Sequence, residues 1–242
     1  MVNIHRVWTW NEAYQEVCKM ANILKRNGVK KGDRVIVYLP MIPEALFTVW
    51  ACARIGAIHS IVFGGFSAKE LSGRIIDSDP KVIVTASCGL EPNKVVNYVE
   101  ILQEAIDLSK KNSKVLIYQR PNYEIKTSKD WVHFRLEDED FEPVHCEVMK
   151  STDPLYILYT SGTTGTPKGI IRDQGGTTVA LDWTMNHING INAMDTYFAA
   201  SDIGWVVGHS FTVYGPLLRG AATVLYEGKP MMPHPGVLWE II

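Results

Sequence analysis

The chain has 242 residues, 46% of them apolar, and its 24 Lys and Arg against 26 Asp and Glu leave a formal net charge of −2. That balance gives no electrostatic reason to expect a nucleic-acid partner, which would select a basic face, and no apolar run approaches the ~18 residues of a membrane span. The cysteines, Cys18, Cys52, Cys88 and Cys146, form no CxxC pair, so no structural zinc site is expected. Each reads as a buried free thiol, in keeping with a reducing compartment.

The first fourteen residues, MVNIHRVWTWNEAY, lack the apolar core of a signal peptide, so no targeting segment is visible. Thr9 and Glu12 form a capping box, and Trp10, Ala13, Tyr14, Val17, Ala21 and Leu24 recur at helical spacing up to Gly28. RVIVYL (Arg34 to Leu39) is a strand, Pro43 opens a second helix, and Gly56 closes it. AIHSIVF is the next strand. Ser67 with Glu70 caps the helix AKELSGRIID, and KVIVTA, VVNYVEILQEAIDLSKK and KVLIYQ follow as strand, helix and strand. Continuous apolar strands interleaved with amphipathic helices predict an α/β fold of mostly parallel sheets covered by helices on both faces. Ligands gather at the carboxyl ends of such strands.

Residues 121–150 are polar, carry the acidic run EDED (Glu137 to Asp140), and read as a solvated connection. Alternation resumes with LYILYT, a Gly/Thr loop and GIIR. A helix over Thr177 to Ile188, the strand TYFAA, a helix near SFTVYGPLL and the strand ATVLYEG come next. HPGVLWEII then stops as a helix begins, so a fragment of a longer protein is expected.

LYILYTSGTTGTPKG (Leu155 to Gly169) is the most distinctive stretch. A Walker A loop would place Gly at 167 and a Mg²⁺-binding hydroxyl at 169, and would run straight into a helix. Here Pro167 and Gly169 occupy those positions and the β-like GIIR follows, so a P-loop is excluded. Gly162, Gly165 and Gly169 still suit an anion-binding nest, the Ser and Thr hydroxyls are donors, and Lys168 is a point charge fixed by Pro167. Composition leaves a phosphate cradle and a flexible linker open. The strand running directly into the loop favours the cradle.

YTSGTTGTPKG (Tyr159 to Gly169) resembles the phosphate-loop signature of the adenylate-forming superfamily, which includes acyl-CoA synthetases, luciferases and peptide-synthetase adenylation domains. PMIPEA (Pro40 to Ala45), ACARIGAIHSIVFGGFS (Ala51 to Ser67), GRIIDS (Gly73 to Ser78), SDIGWVVGHSF and YGPLLRGAATVLYEGKP narrow the resemblance to short-chain acyl-CoA synthetases, and to their propionyl-CoA branch more than the acetyl-CoA one. It covers nearly all of the chain outside 121–150. It implies that residues 1–242 are part of the large N-terminal domain of such an enzyme. Residues 1–120 would form its first βα sheet with a CoA-site loop, 121–150 a polar connection, and 151–242 the phosphate-loop region and the start of a second sheet.

The resemblance implies a ligase that joins a short-chain carboxylate to ATP, with Mg²⁺ alongside, and passes the acyl group to coenzyme A. A non-catalytic nucleotide- or CoA-binding fragment is the other reading. Thr160, Ser161, Gly162, Thr163, Thr164, Gly165 and Lys168 would close over the ATP phosphates. Phe63, Gly64 and Gly65 correspond to the contact with the CoA adenine, although a tight strand-to-helix turn explains the glycines equally well. Glu91, Pro92, Asn93 and Lys94 stand where the family carries a glycine–arginine pair facing the CoA phosphates, so Lys94 offers a point charge instead of a fork. Trp205, Val206 and Val207 would wall the acyl pocket, with Val207 also at the CoA site. Val207 in place of the acetyl enzymes' Thr favours a slightly longer acid. Trp205 is alternatively a core residue, and His209 is read as structural. The family's Mg²⁺-holding acid, ribose-binding aspartate and adenylating lysine have no counterpart before Ile242, so no catalytic residue is assigned. The expected location is intracellular, in the cytoplasm or mitochondrial matrix, and the oligomeric state is open.

Overall fold

In the computed structural model, residues 5–91, 94–121, 123–125, 130–160 and 167–242 are described. Helix α1 (Trp10–Arg26) starts at the expected capping box, with Thr9 accepting from the Glu12 N–H while Glu12 accepts from the Thr9 N–H at 2.7 Å. Strand β1 (Arg34–Tyr38) leads to α2 (Pro43–Arg54), where Pro43 occupies the first turn, whose N–H groups need no helical partner. Strand β2 (Ile58–Ile61), helix α3 (Ala68–Ser78) and strand β3 (Val82–Ala86) follow, α3 opening on a second capping box between Ser67 and Glu70.

The next segment departs from the sequence reading. Cys88–Glu91 (β4) and Lys94–Asn97 (β5) pair antiparallel as a hairpin, and helix α4 (Tyr98–Ser109) begins only after it. The Asn97 carboxamide accepts from the N–H groups of Val99 and Glu100 at 3.1 and 3.2 Å, which starts the helix there. The β-branched Val95 and Val96, expected in the helix, suit the strand.

Strand β6 (Lys114–Tyr118) is followed by β7 (Val132–Phe134), inside the stretch read as a solvated connection. Phe134, Leu136 and Val144 are buried there, Arg26 pairs with Glu139, and Arg54 Nε donates to the Val144 carbonyl. The acidic residues stay outside while the apolar ones between them close the end of the α1–α2 layer. Strands β8 (Pro154–Thr160) and β9 (Lys168–Asp173) precede α5 (Gln174–His187), which starts three residues before the expected Thr177. The remaining elements are β10 (Thr196–Tyr197), α6 (Val206–Gly208), a π-helical turn (His209–Tyr214), α7 (Gly215–Arg219), β11 (Ala222–Thr223) and α8 (Val237–Ile241).

The main sheet has the order β7-β6-β3-β1-β2-β8-β9, and every pairing is parallel except the last. Strands β8 and β9 thus extend the first sheet, and β10 with β11 makes a separate parallel pair. Side-chain alternation divides the interior. Val35 and Val37 face a core shared with α1 and α2, whereas Ile36 and Tyr38 face one shared with α3 and α4. The neighbours β1 and β3 therefore send their outgoing connections, α2 and α4, to opposite faces. Such a divergence opens a crevice at the carboxyl ends of the strands.

Cys18, Cys52 and Cys88 are buried free thiols as expected, but Cys146 is exposed. It lies in the outer loop after Phe134, where the flanking residues face solvent.

The Ser67 cap carries the turn after β2 into α3. Ser67→Ala should lower unfolding free energy by about 1 kcal/mol, read as a lower urea midpoint at unchanged m-value. An unchanged midpoint would show that the cap contributes nothing.

Candidate functional site

The crevice is built around one aromatic ring. Tyr98, the first residue of α4, stacks on Tyr38 at the end of β1 with ring centroids 4.7 Å apart and planes 20° from parallel. Its other contacts require two glycines. A Cβ on Gly64 would lie 1.9 Å from the Tyr98 hydroxyl, and one on Gly89 would lie 2.9 Å from the ring. The turn after β2 and the β4–β5 hairpin both approach Tyr98 because these positions lack side chains. Burial pushes both phenols well above the ordinary tyrosine range, so they stay neutral.

Beside this ring, Phe63, Phe66 and Trp205 form an aromatic cluster, with Phe63 5.6 Å from both partners and Phe66 6.0 Å from Trp205. Trp205 is 48% exposed, and Val206 and Val207 are 50% and 49% exposed. The core reading of Trp205 is therefore set aside: it joins Phe63 in a half-open apolar surface, suited to stacking a planar group. Arg74 lies 4.1 Å from the Phe66 ring centroid and 5.4 Å from that of Tyr159. The Tyr159 hydroxyl donates to Asp77 at 2.6 Å, which ties the end of β8 to α3.

Thr160 and Lys168 are direct partners across the β8–β9 ladder, and both are exposed. The distinctive loop thus leaves and re-enters the sheet at one point. Ser161, Gly162, Thr163, Thr164 and Gly165 lie outside the described residues, as do Pro92 and Asn93. The hairpin that carries those last two presents Glu91 and Lys94 at its tip. Just behind the tip, strand β4 is held by Glu227, which accepts from the Leu90 N–H at 3.3 Å and from Arg120 Nη2 at 2.8 Å. The pairing of Arg120 with Glu227 escaped the sequence reading, because 107 residues separate them and Arg120 stands in no motif.

Beneath Val206 and Val207, His209 is fully buried and faces His59, with Nε2 atoms 3.2 Å apart and rings 5.2 Å apart and nearly parallel. Tyr214 Oη stands 3.3 Å from His59 Nε2. One imidazole must donate and the other accept, and burial favours the neutral form of both. Burial holds His59 well below the ordinary range, with His209 adding repulsion, and pushes His209 down to about 4. The structural reading of His209 agrees with this geometry. His59 was legible only as a polar residue, beside Ser60, in the otherwise apolar run AIHSIVF.

The profile of the AMP-binding enzyme family matches residues 1–242, and the chain belongs to that family. It is 48% identical over 249 residues to the acyl-CoA synthetase short-chain family member 3, mitochondrial, of Homo sapiens, covering 100% of this chain and 36% of that protein. It is 45% identical over 243 residues to the acetyl-coenzyme A synthetase of Brucella suis, covering 97% of this chain and 37% of the relative. Among solved structures, the acetoacetyl-CoA synthetase from Streptomyces lividans superposes with a TM-score of 0.88 at 28% identity over 96% of this chain and 35% of that one. The chain therefore spans little more than a third of the length of these relatives. The mostly parallel seven-stranded sheet agrees with the predicted α/β class. Among the described residues, no helix is long and apolar enough to cross a membrane.

The histidine pair gives a signed pH dependence. Both folded pKa values lie below the unfolded value, so the unfolded chain binds more protons as pH falls below ~6.5, and for His209 this window extends down to about 4. Stability falls through that window by up to about 1.4 kcal/mol per pH unit for each histidine. The buried carboxyls of Glu44 and Asp202, held high by burial, act in the opposite sense, so wild type is compared with His59→Gln. Urea titrations at pH 7.5 and 5 should show a smaller acid-induced loss in the variant. Equal losses would contradict the assignment.

Proposed function

We propose that the chain is the N-terminal portion of an ATP-dependent short-chain acyl-CoA synthetase. A carboxylate oxygen attacks the α-phosphorus of ATP and expels pyrophosphate, giving an acyl-adenylate. The CoA sulfur then attacks the acyl carbonyl, its proton passing to solvent, and AMP leaves. The observation that carries this reading is the family match over the whole chain, together with relatives whose names specify acyl-CoA and acetyl-CoA synthetases.

The first step needs an ionised acid, present at neutral pH without a base, so positioning and charge stabilisation dominate. Thr160, Lys168 and the residues between them are assigned to the β- and γ-phosphates, with Lys168 neutralising charge on the leaving pyrophosphate. Mg²⁺ would arrive with ATP as part of the substrate. Among the described residues, no group of three or more His, Cys, Asp or Glu side chains is fit to bind it without ATP. Phe63, Gly64 and Gly65 are assigned to the CoA adenine, and the Glu91–Lys94 tip to its phosphates. Trp205, Val206 and Val207 wall the acyl group, and the apolar Val207 favours propionate over acetate by ~1 to 3 kcal/mol at most. The three-part division at residues 121 and 151 goes with this reading, as does an intracellular location, in the cytoplasm or mitochondrial matrix. A non-catalytic nucleotide- or CoA-binding module is the second reading.

Propionate-dependent ATP–pyrophosphate exchange decides between them. The 242-residue chain should show none, and the product of the full reading frame should show it. In that product Lys168→Ala should lower exchange by about 10²-fold. Exchange left unchanged by Lys168→Ala would remove the phosphate assignment, and robust exchange by the short chain would overturn the division of labour proposed here.

A further inference from the structure

The tip of the β4–β5 hairpin gathers Glu91, Lys94 and Lys229 into one charge cluster, and the family resemblance gives Lys229 no role. Lys229 Nζ lies 2.9 Å from Glu91 Oε2, and Lys94 Nζ lies 3.6 Å from the same oxygen. Two ammonium groups share one carboxylate oxygen, so the trio carries one uncompensated positive charge. Below it, Arg120 and Glu227 neutralise each other in a two-point pair and are mostly buried. The surplus charge therefore sits at the exposed rim, on Lys94 and Lys229.

Position is built in as well as charge. Glu227 binds both the Arg120 side chain and the Leu90 backbone, and Lys229 follows two residues later. The 227–229 segment is thus tied to the tip end of the hairpin at two adjacent residues, Leu90 and Glu91. Each ammonium has three donors, and one carboxylate oxygen leaves most of them unused. Exposed ion pairs of this kind are weak, so an incoming dianion can take over the lysines at little cost. A lone lysine in place of an arginine loses two-point recognition of phosphate, and a second lysine reaching the same oxygen restores it.

We propose that Lys229 is a second phosphate-binding cation of this hairpin, acting with Lys94 on the phosphates of coenzyme A. Glu91 is the counter-charge that keeps the two ammonium groups together while the site is empty. This inference rests on the CoA reading above.

The test is calorimetric titration of the 242-residue chain with coenzyme A at low and high salt. Lys229→Ala and Lys94→Ala should each weaken binding by roughly five- to tenfold at low salt, with a smaller loss at high salt. Lys229→Arg should retain affinity, and Glu91→Gln should tighten binding several-fold by freeing both lysines. Misfolding cannot mimic that pattern, because one variant gains. Wild-type affinity in Lys229→Ala alongside weakened binding in Lys94→Ala would overturn the role of Lys229 and leave the CoA reading standing. Weaker binding by Glu91→Gln would overturn the counter-charge. Absence of CoA binding by the unaltered chain would remove the CoA reading, and this inference with it.

Discussion

The Tyr98 ring is the contact on which the site depends. It touches the end of β1 through Tyr38, the turn after β2 through Gly64, and the β4–β5 hairpin through Gly89, and it is itself the first residue of α4. Four separate parts of the chain thus meet on one side chain, at the place where the connections from β1 and β3 diverge. Aromatic stacking adds only about 0.5 to 1.5 kcal/mol beyond burial. The larger effect is geometric, because each partner's position is fixed by contact with the same rigid plane. The half-open cluster of Phe63, Phe66 and Trp205 adjoins this hub through Gly64, and the hairpin with its charged tip adjoins it through Gly89.

Around the hub, charge is kept where it can be satisfied. The buried Arg120–Glu227 pair adds little net stability, since desolvating two ions offsets much of their attraction. Its consequence is directional: a two-point pair, with the Glu227 contact to Leu90, fixes strand β4 relative to the end of β6 and the 227–229 segment. The buried histidines follow the same rule in neutral form. Sharing one hydrogen bond between two imidazoles avoids burying a charge, and it seats the π-helical turn under Val206 and Val207. A π turn widens the helix by one residue per turn and is often found at functional sites. Here it brings both His209 and Tyr214 to His59.

Much of this was legible in the sequence, for local reasons. Capping boxes at Thr9 and Ser67 need only neighbours three residues apart, and apolar runs such as RVIVYL announce buried parallel strands. The family resemblance rested on contiguous blocks and agrees with the profile match. What escaped was non-local or mixed in pattern. The β4–β5 hairpin was hidden because Val95 and Val96 continue the apolar period of α4, and only the Asn97 cap separates them. Strand β7 was masked by the charges around it, although Phe134 and Leu136 are the residues that pack. The ring of Tyr98 and the Arg120–Glu227 pair could be found only once the chain was folded, since nothing in sequence links Tyr38 to Tyr98 or residue 120 to 227.

The central claim is that the aromatic cluster beside Tyr98 and the hairpin tip form one site for the CoA nucleotide. A crystal structure of the chain grown with coenzyme A tests it most directly. The account predicts the adenine within stacking distance of Phe63 and the phosphates against Lys94 and Lys229. An adenine bound away from Phe63, with the hairpin tip still closed on Glu91, would contradict it.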